Sequence, residues 1–213
     1  MRINFHNTHF ETSAPTLDLC PGASVPEIAF AGRSNAGKST AINTLCQRRQ
    51  LAFASNTPGR TQLLNFFHVL ESGDPIARLV DLPGYGYAQL STVDKAAWDR
   101  ELGGYLATRT SLRGCVMIVD SRRNLQDRDL GLLEFVKSRK LPVHIVLSKA
   151  DKLKKQEKVQ CLRQAKTLVK PWTDEGQAVS LQLWSATKKE GLEALNQQLS
   201  AWIRPESTTE EEQ

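Results

Sequence analysis

The nine residues GRSNAGKST, Gly32 to Thr40, follow directly on the apolar run EIAFAG (27–32), and that junction restricts the fold more than any other feature of the chain. They match the phosphate-loop pattern of Gly, four residues, Gly, Lys, then Ser or Thr. Gly32 and Gly37 permit backbone angles that turn successive N–H groups inward, forming an anion cradle at a helix N-terminus. Arg33, Ser34, Asn35 and Ala36 supply the cradle's backbone, Lys38 a point charge for β and γ phosphates, and Ser39 a hydroxyl for Mg²⁺. The bland alternative is a Gly-rich turn that happens to hold a lysine. Chance coincidence of the four fixed positions is expected in roughly one chain of this size in a hundred, and the strand before and helix after lower it further.

Around this loop, short apolar runs alternate with amphipathic segments, the mark of an α/β chain with a largely parallel sheet. Runs at 27–32, 63–70, 76–82, 114–120, 142–148 and 178–185 predict six strands. Only ESGDP separates the second from the third, too short for a crossover helix, so these two are expected to form an antiparallel hairpin. Helices are expected over Lys38–Cys46, Val93–Thr108, Asp127–Arg139, Lys154–Val169 and Gly191–Trp202, on both faces of the sheet. In the last, Leu192, Leu195, Leu199 and Trp202 recur at helical spacing and should face the core. The division expected is an N-terminal extension over 1–25, a nucleotide-binding domain over 26–203 and an acidic disordered tail over 204–213.

At 213 residues the chain suits one sizeable core. No stretch approaches the roughly 18 apolar residues of a membrane span, and the stretch after Arg2 lacks the apolar centre of a signal peptide, so a cytoplasmic protein is expected. Cys20, Cys46, Cys115 and Cys161 are widely spaced, which argues against zinc ligation or a disulfide framework. The net charge is +5, from 28 basic and 23 acidic side chains, but four of the acidic ones lie after Pro205, leaving 28 against 19, or +9, over residues 1–205. A basic body makes a polyanionic partner plausible; dispersed, solvated charge is the alternative.

Further along, DLPG (81–84) ends the third run 42 residues after Ser39. Asp, two residues, Gly arises by chance about once per chain, but this place is where a phosphate-loop NTPase sets an Asp that holds Mg²⁺. Leu82 and Pro83 carry the chain to Gly84, whose N–H can meet a γ phosphate. SKAD, comprising Ser148, Lys149, Ala150 and Asp151, closes the fifth run at the sheet's carboxyl edge, where a doubly wound fold collects ligand contacts. Asp151 can accept from both N1–H and the 2-amino group of guanine, a pairing adenine cannot return. Lys149 can cover the base with its aliphatic stem. Trp184, Ser185 and Ala186, with Thr187 next, end the sixth run and can offer a backbone N–H to guanine O6. Each motif alone is weak, but their order after successive predicted strands points to GTP and GDP.

GRSNAGKST, TPGRTQLLNFF, DLPGYGYA, LSKADKL and SATKKEGL together resemble the EngB (also YihA or YsxC) GTP-binding proteins of bacteria, over about residues 25 to 202. The resemblance implies a Ras-like G domain of the translation-factor-like class of phosphate-loop GTPases. It implies a cytoplasmic GTPase, expected to be a monomer, that assists assembly of the large ribosomal subunit through its rRNA and ribosomal proteins and is needed for cell division and septation. It places Mg²⁺ on Ser39 and Thr61, beside the Asp81 already read from its position, and extends the nucleotide contacts to Gly59, Arg60, Thr61, Gln62 and Leu63. Thr61 makes sense as the switch threonine, with Thr57 its competitor in the same loop. Ser148 departs from the pattern, since the family more often carries Thr or Asn there.

Tyr85 stands where the GTPase template orients the attacking water with Gln. A phenol is a poor base at neutral pH, so slow intrinsic hydrolysis is expected, with Tyr85 either packing on the switch or acting at the site. Lys38, Thr61, Gly84 and Asn35 are the candidate catalytic groups. Asn35 occupies the position where related potassium-using GTPases carry Asn, so a K⁺ ion is a candidate activator; a hydrogen bond within the loop is the alternative. The segment 148–170 carries eight basic residues against two acidic ones, with Lys154, Lys158 and Lys166 a candidate rRNA-contacting stripe and a solvated helix face the alternative. Two further readings stand beside the switch GTPase: a nucleotide-gated ribosome-binding module in which hydrolysis is incidental, and a membrane scaffold, for which no basic amphipathic anchor or lipidation motif is found.

Overall fold

The computed structural model describes residues 2–53, 63–85 and 102–205. Seven strands form one sheet: β1 (Thr8–Ala14), β2 (Glu27–Gly32), β3 (Leu64–Glu71), β4 (Asp74–Asp81), β5 (Leu112–Asp120), β6 (Val143–Ser148) and β7 (Val179–Leu183), in the order β1-β3-β4-β2-β5-β6-β7. β4, β2, β5, β6 and β7 run parallel, and β3 is antiparallel to both β4 and β1. The helices are α1 (Lys38–Leu45), α2 (described over 102–108), α3 (Asp127–Lys137), α4 (Lys155–Asp174) and α5 (Leu192–Ile203). α4 outruns its expected end and carries Pro171 in its last turns. The two-residue turn at Ser72 and Gly73 closes the expected hairpin.

Six strands were expected and the sheet has seven. The additional one, β1, comes from the first 25 residues and pairs along the edge of β3. Its sequence THFETSA lacks clean alternation because a bulge lies between Phe10 and Thr12 and the polar Glu11, Thr12 and Ser13 are all half-buried. Ile3 and Phe5, just before it, are buried in the core beneath α1 and α5. The Ile3 N–H donates to Ser200 Oγ at 3.0 Å, and Asn196 Nδ2 donates to Ile3 O at 3.2 Å.

β2 and β6 are buried at every position, as expected of strands covered on both faces. Their side chains divide with period two. Ala29, Ala31, Cys115, Met117 and Val119 face the core shared with α3 and α4, while Ile28, Phe30, Val116 and Ile118 face that of α1 and α5. Leu195 and Leu199 of α5 are buried there, with Leu192 and Trp202 packed at its margin. All four cysteines are free thiols, and burial pushes Cys46 and Cys115 up to about 12.

At the sheet's other end, the fully buried Glu27 opens β2 and ties several segments together. Its carboxylate accepts from Arg109 Nε at 2.7 Å and the Tyr105 hydroxyl at 2.8 Å, with Arg78 Nη1 at 3.4 Å. Arg78 also donates to Glu11 at 2.7 and 3.0 Å and to Gly22 O at 2.7 Å. Thus β1, β2, β4 and α2 meet in one ionic cluster. Breaking such a buried set from one side leaves uncompensated charge, which costs about 3–5 kcal/mol. Glu27→Ala is therefore expected to lower unfolding free energy by about that much in urea denaturation, and Glu27→Gln by less, because its amide oxygen still accepts.

Candidate nucleotide-binding site

The segments from which nucleotide contacts are expected, where described, lie at the carboxyl edge of the parallel strands. β2 ends at Gly32, where an added Cβ would stand 2.8 Å from Ile118 O on β5; only glycine lets the loop leave the sheet there. The chain then passes through Asn35 (φ 63°) and Gly37 (φ 102°) into α1, with Lys38 as its first residue. The N–H groups of that first turn have no partner within the helix and face the loop's interior. Ser39 lies in the same turn, half-buried.

Across the loop, Asp81 closes β4 beside Phe30 of β2. Its carboxylate is buried and paired with Lys38 Nζ. Burial pushes the Asp81 carboxyl up, and Lys38 opposes that shift. The Leu82 N–H donates to Phe30 O at 3.0 Å, and Pro83 leads to Gly84, where an added Cβ would lie 3.3 Å from Ser34 Oγ. Among the described residues, no group of three His, Cys, Asp or Glu side chains stands together. The donors present, one carboxylate and one hydroxyl, suit a hard cation that takes its remaining oxygens from water and phosphate.

The segment Ser148–Asp151 is bonded to this loop. Ser148 Oγ donates to Ala36 O at 2.5 Å, and Lys149 Nζ to Asn35 O at 2.7 Å and Asp120 Oδ2 at 3.0 Å. Lys149 has a left-handed backbone (φ 58°), and Ala150–Lys152 form a short 3-10 turn that presents Asp151. Asp151 Oδ1 accepts from Ser185 Oγ at 2.8 Å, which holds its carboxyl below the usual range. The Ala150 N–H donates to Trp184 O at 2.9 Å, joining the two base-side segments through backbone. The Trp184 side chain itself is buried in the core with α1 and α5, so only its main chain can serve a ligand. Ala186 and Thr187 follow, with Thr187 Oγ1 3.0 Å from Ser185 Oγ.

Tyr85 does not aim into the site. Its phenol is 4% exposed and donates to Asp129 Oδ1 of α3 at 2.6 Å. Burial first, then the Asp129 charge, raises the phenol well above its ordinary value, so it is no base. Gly59, Arg60, Thr61 and Gln62, with Thr57, lie outside the described residues, and Leu63 just precedes β3. The predicted stripe on α4 is altered, since Lys158 Nζ binds Glu190 Oε2 at 2.6 Å and is not a free cation.

A family described as "50S ribosome-binding GTPase" matches residues 27–149. The "Probable GTP-binding protein EngB" of Burkholderia cenocepacia is 45% identical over 207 residues, covering 96% of this chain and 94% of the relative. The chain belongs to the EngB family of GTP-binding proteins. The Burkholderia multivorans EngB matches equally, at 45% over 96% of this chain and 94% of its own. A solved probable EngB, 23% identical, overlays 84% of this chain and 98% of its own at a TM-score of 0.61. Aquifex aeolicus Era bound to GDP.AlF4⁻, 20% identical, overlays 84% of this chain and 57% of its own at 0.62. These two likenesses show the GTPase fold.

In this EngB chain, sequence reasoning passed over Asp120 and Asp129. Asp120 ends β5 as Asp81 ends β4, and that repeated carboxylate at a strand's end was the available signal. Burial works against its charge, but bonds from Arg122 and Lys149 prevail and hold it far below the usual range. Asp129 had no local signal, because its partner is Tyr85, 44 residues away. Ser148→Ala removes the bond between the base segment and the phosphate loop; it is expected to weaken GDP binding about fivefold, or ~1 kcal/mol, in titrations with a fluorescent GDP.

Proposed function

We propose that this EngB-family chain is a guanine-nucleotide switch in the cytoplasm that hydrolyses GTP slowly and docks on precursors of the large ribosomal subunit, assisting their assembly and so supporting cell division and septation. The observation that carries the reading is the convergence of Gly32–Ser39, Asp81–Gly84, Ser148–Asp151 and Ser185 at one edge of the sheet, with Ser148 and Lys149 bonded to the phosphate loop.

On this reading the loop N–H groups and Lys38 grip the phosphates, and Asp151, pre-set by Ser185, pairs with the guanine edge. Ser39, Asp81 and Thr61 would hold Mg²⁺, which neutralises charge on the β and γ phosphates. Lys38 exchanges Asp81 for phosphate as nucleotide enters, so neither charge is left alone in a buried place. The Gly84 N–H meets the γ phosphate.

Asn35 is the ligand offered to K⁺. Its backbone oxygen is committed to Lys149, while its side-chain amide makes no hydrogen bond among the described residues. A cation fixed there would stabilise charge developing in the transition state. Hydrolysis is expected to run at least about fivefold faster in KCl than in NaCl, in single-turnover measurements; equal rates would remove K⁺ from the mechanism.

The enclosed phenol of Tyr85 favours a second reading, in which hydrolysis is incidental and nucleotide merely gates docking. Single-turnover hydrolysis with and without large-subunit particles separates the two, since only the first expects stimulation. For docking itself, the exposed Lys154, Arg163 and Lys166 on and before α4 are the cations offered to rRNA phosphates. Pelleting with large-subunit particles should retain the protein with a non-hydrolysable GTP analogue and release it with GDP. Retention indifferent to nucleotide would end the switch reading.

A further inference from the structure

The segment that carries Gly84 is bonded on three sides. The Tyr85 N–H donates to Gly32 O at 3.2 Å, the Ser34 N–H donates to Tyr85 O at 3.3 Å, and the phenol reaches Asp129 at 2.6 Å. The two backbone bonds are at the long end of the range, whereas the phenol bond is short, buried and made to a carboxylate, the kind that holds geometry most strongly. Asp129 is itself fixed. Its Oδ2 accepts the Gln126 N–H at 2.8 Å, and it sits in the first turn of α3, whose Leu132, Leu133 and Val136 are buried in the core. A rigid helix is thereby linked through one side-chain bond to the residue next to Gly84, which abuts Ser34 of the phosphate loop.

We propose that Tyr85 and Asp129 are a positioning pair that fixes the Gly84 N–H where a γ phosphate is met, and so sets how strongly the site prefers GTP over GDP. The inference rests on the γ-phosphate role given to Gly84 above. Only GTP carries that phosphate, so loosening the pair weakens GTP while leaving GDP, held by the loop, Lys38 and Asp151, unchanged. The family's missing glutamine thereby acquires a replacement of another kind: the residue at its position orients the backbone beside it and leaves the water alone.

The test measures the affinities of GDP and a non-hydrolysable GTP analogue, with the melting temperature, for wild type, Tyr85→Phe, Asp129→Ala and the double variant. Tyr85→Phe keeps the ring in the core and removes only the donor. It is expected to bind the GTP analogue about tenfold more weakly, with GDP within about twofold of wild type. Asp129→Ala should shift the ratio in the same direction. The double variant should shift it no further than the worse single one, because both remove the same bond. Should Asp129→Ala fail to fold, Tyr85→Phe decides alone. A lowered melting temperature with an unchanged GTP-to-GDP ratio, or equal losses for both nucleotides, would overturn the proposal. Gly84→Ala separates the two levels. If it leaves the ratio untouched, the γ-phosphate role of Gly84 fails and the pair with it; if it lowers the ratio while Tyr85→Phe does not, only the pair fails.

Discussion

Gly32 approaches the backbone of Ile118 so closely that a methyl group would stand 2.8 Å from its carbonyl oxygen, and the rest of the site depends on that contact. It lets β2 lie against β5 to the last residue and release the phosphate loop at the same edge of the sheet where β4, β5 and β6 end. Asp81, Asp120 and Ser148 are the final residues of those three strands. A parallel sheet with helices on both faces has all its strand ends on one side, so side chains from distant stretches of sequence become neighbours without any one of them encoding the others.

The three carboxylates near this edge are compensated in different ways. Asp81 is buried against Lys38 and pushed up by burial; Asp120 and Asp151 are both partly buried, the first held down by Arg122 and Lys149 and the second by the Ser185 hydroxyl. The Ser185 hydroxyl orients one oxygen of Asp151, while the exposed Lys152 Nζ stands 3.6 Å from the other. Asp81, deeper still, is paired directly with the Lys38 ammonium, without which its buried carboxylate would stand uncompensated. The Glu27 cluster at the other end binds the first 25 residues, β4 and α2 to the start of the strand that ends in the loop.

How far the chain was legible without coordinates follows from the range of each interaction. The central strands were plain, because a strand buried on both faces must be apolar at every position, as EIAFAG and VHIVLS nearly are. The phosphate loop was plain because its chemistry lies within eight adjacent residues. β1 was not, because an edge strand with a bulge and half-buried polar residues carries neither a run nor an alternation. The basic stretch of 148–170 was read as a stripe of cations, but Glu190 neutralises Lys158 across 32 residues, and nothing near Lys158 foretells it.

Sequence alone therefore determined the local chemistry on offer: a Gly-rich turn between a strand and a helix followed by Lys38 and Ser39, carboxylates at Asp81 and Asp151 after apolar runs, and a tyrosine where the GTPase template has glutamine. Tertiary structure decided what that tyrosine does. Its phenol is turned from the site by a carboxylate 44 residues away, and a hydrogen bond between residues so distant is set by the packing of α3 on the sheet, which no spacing along the chain records.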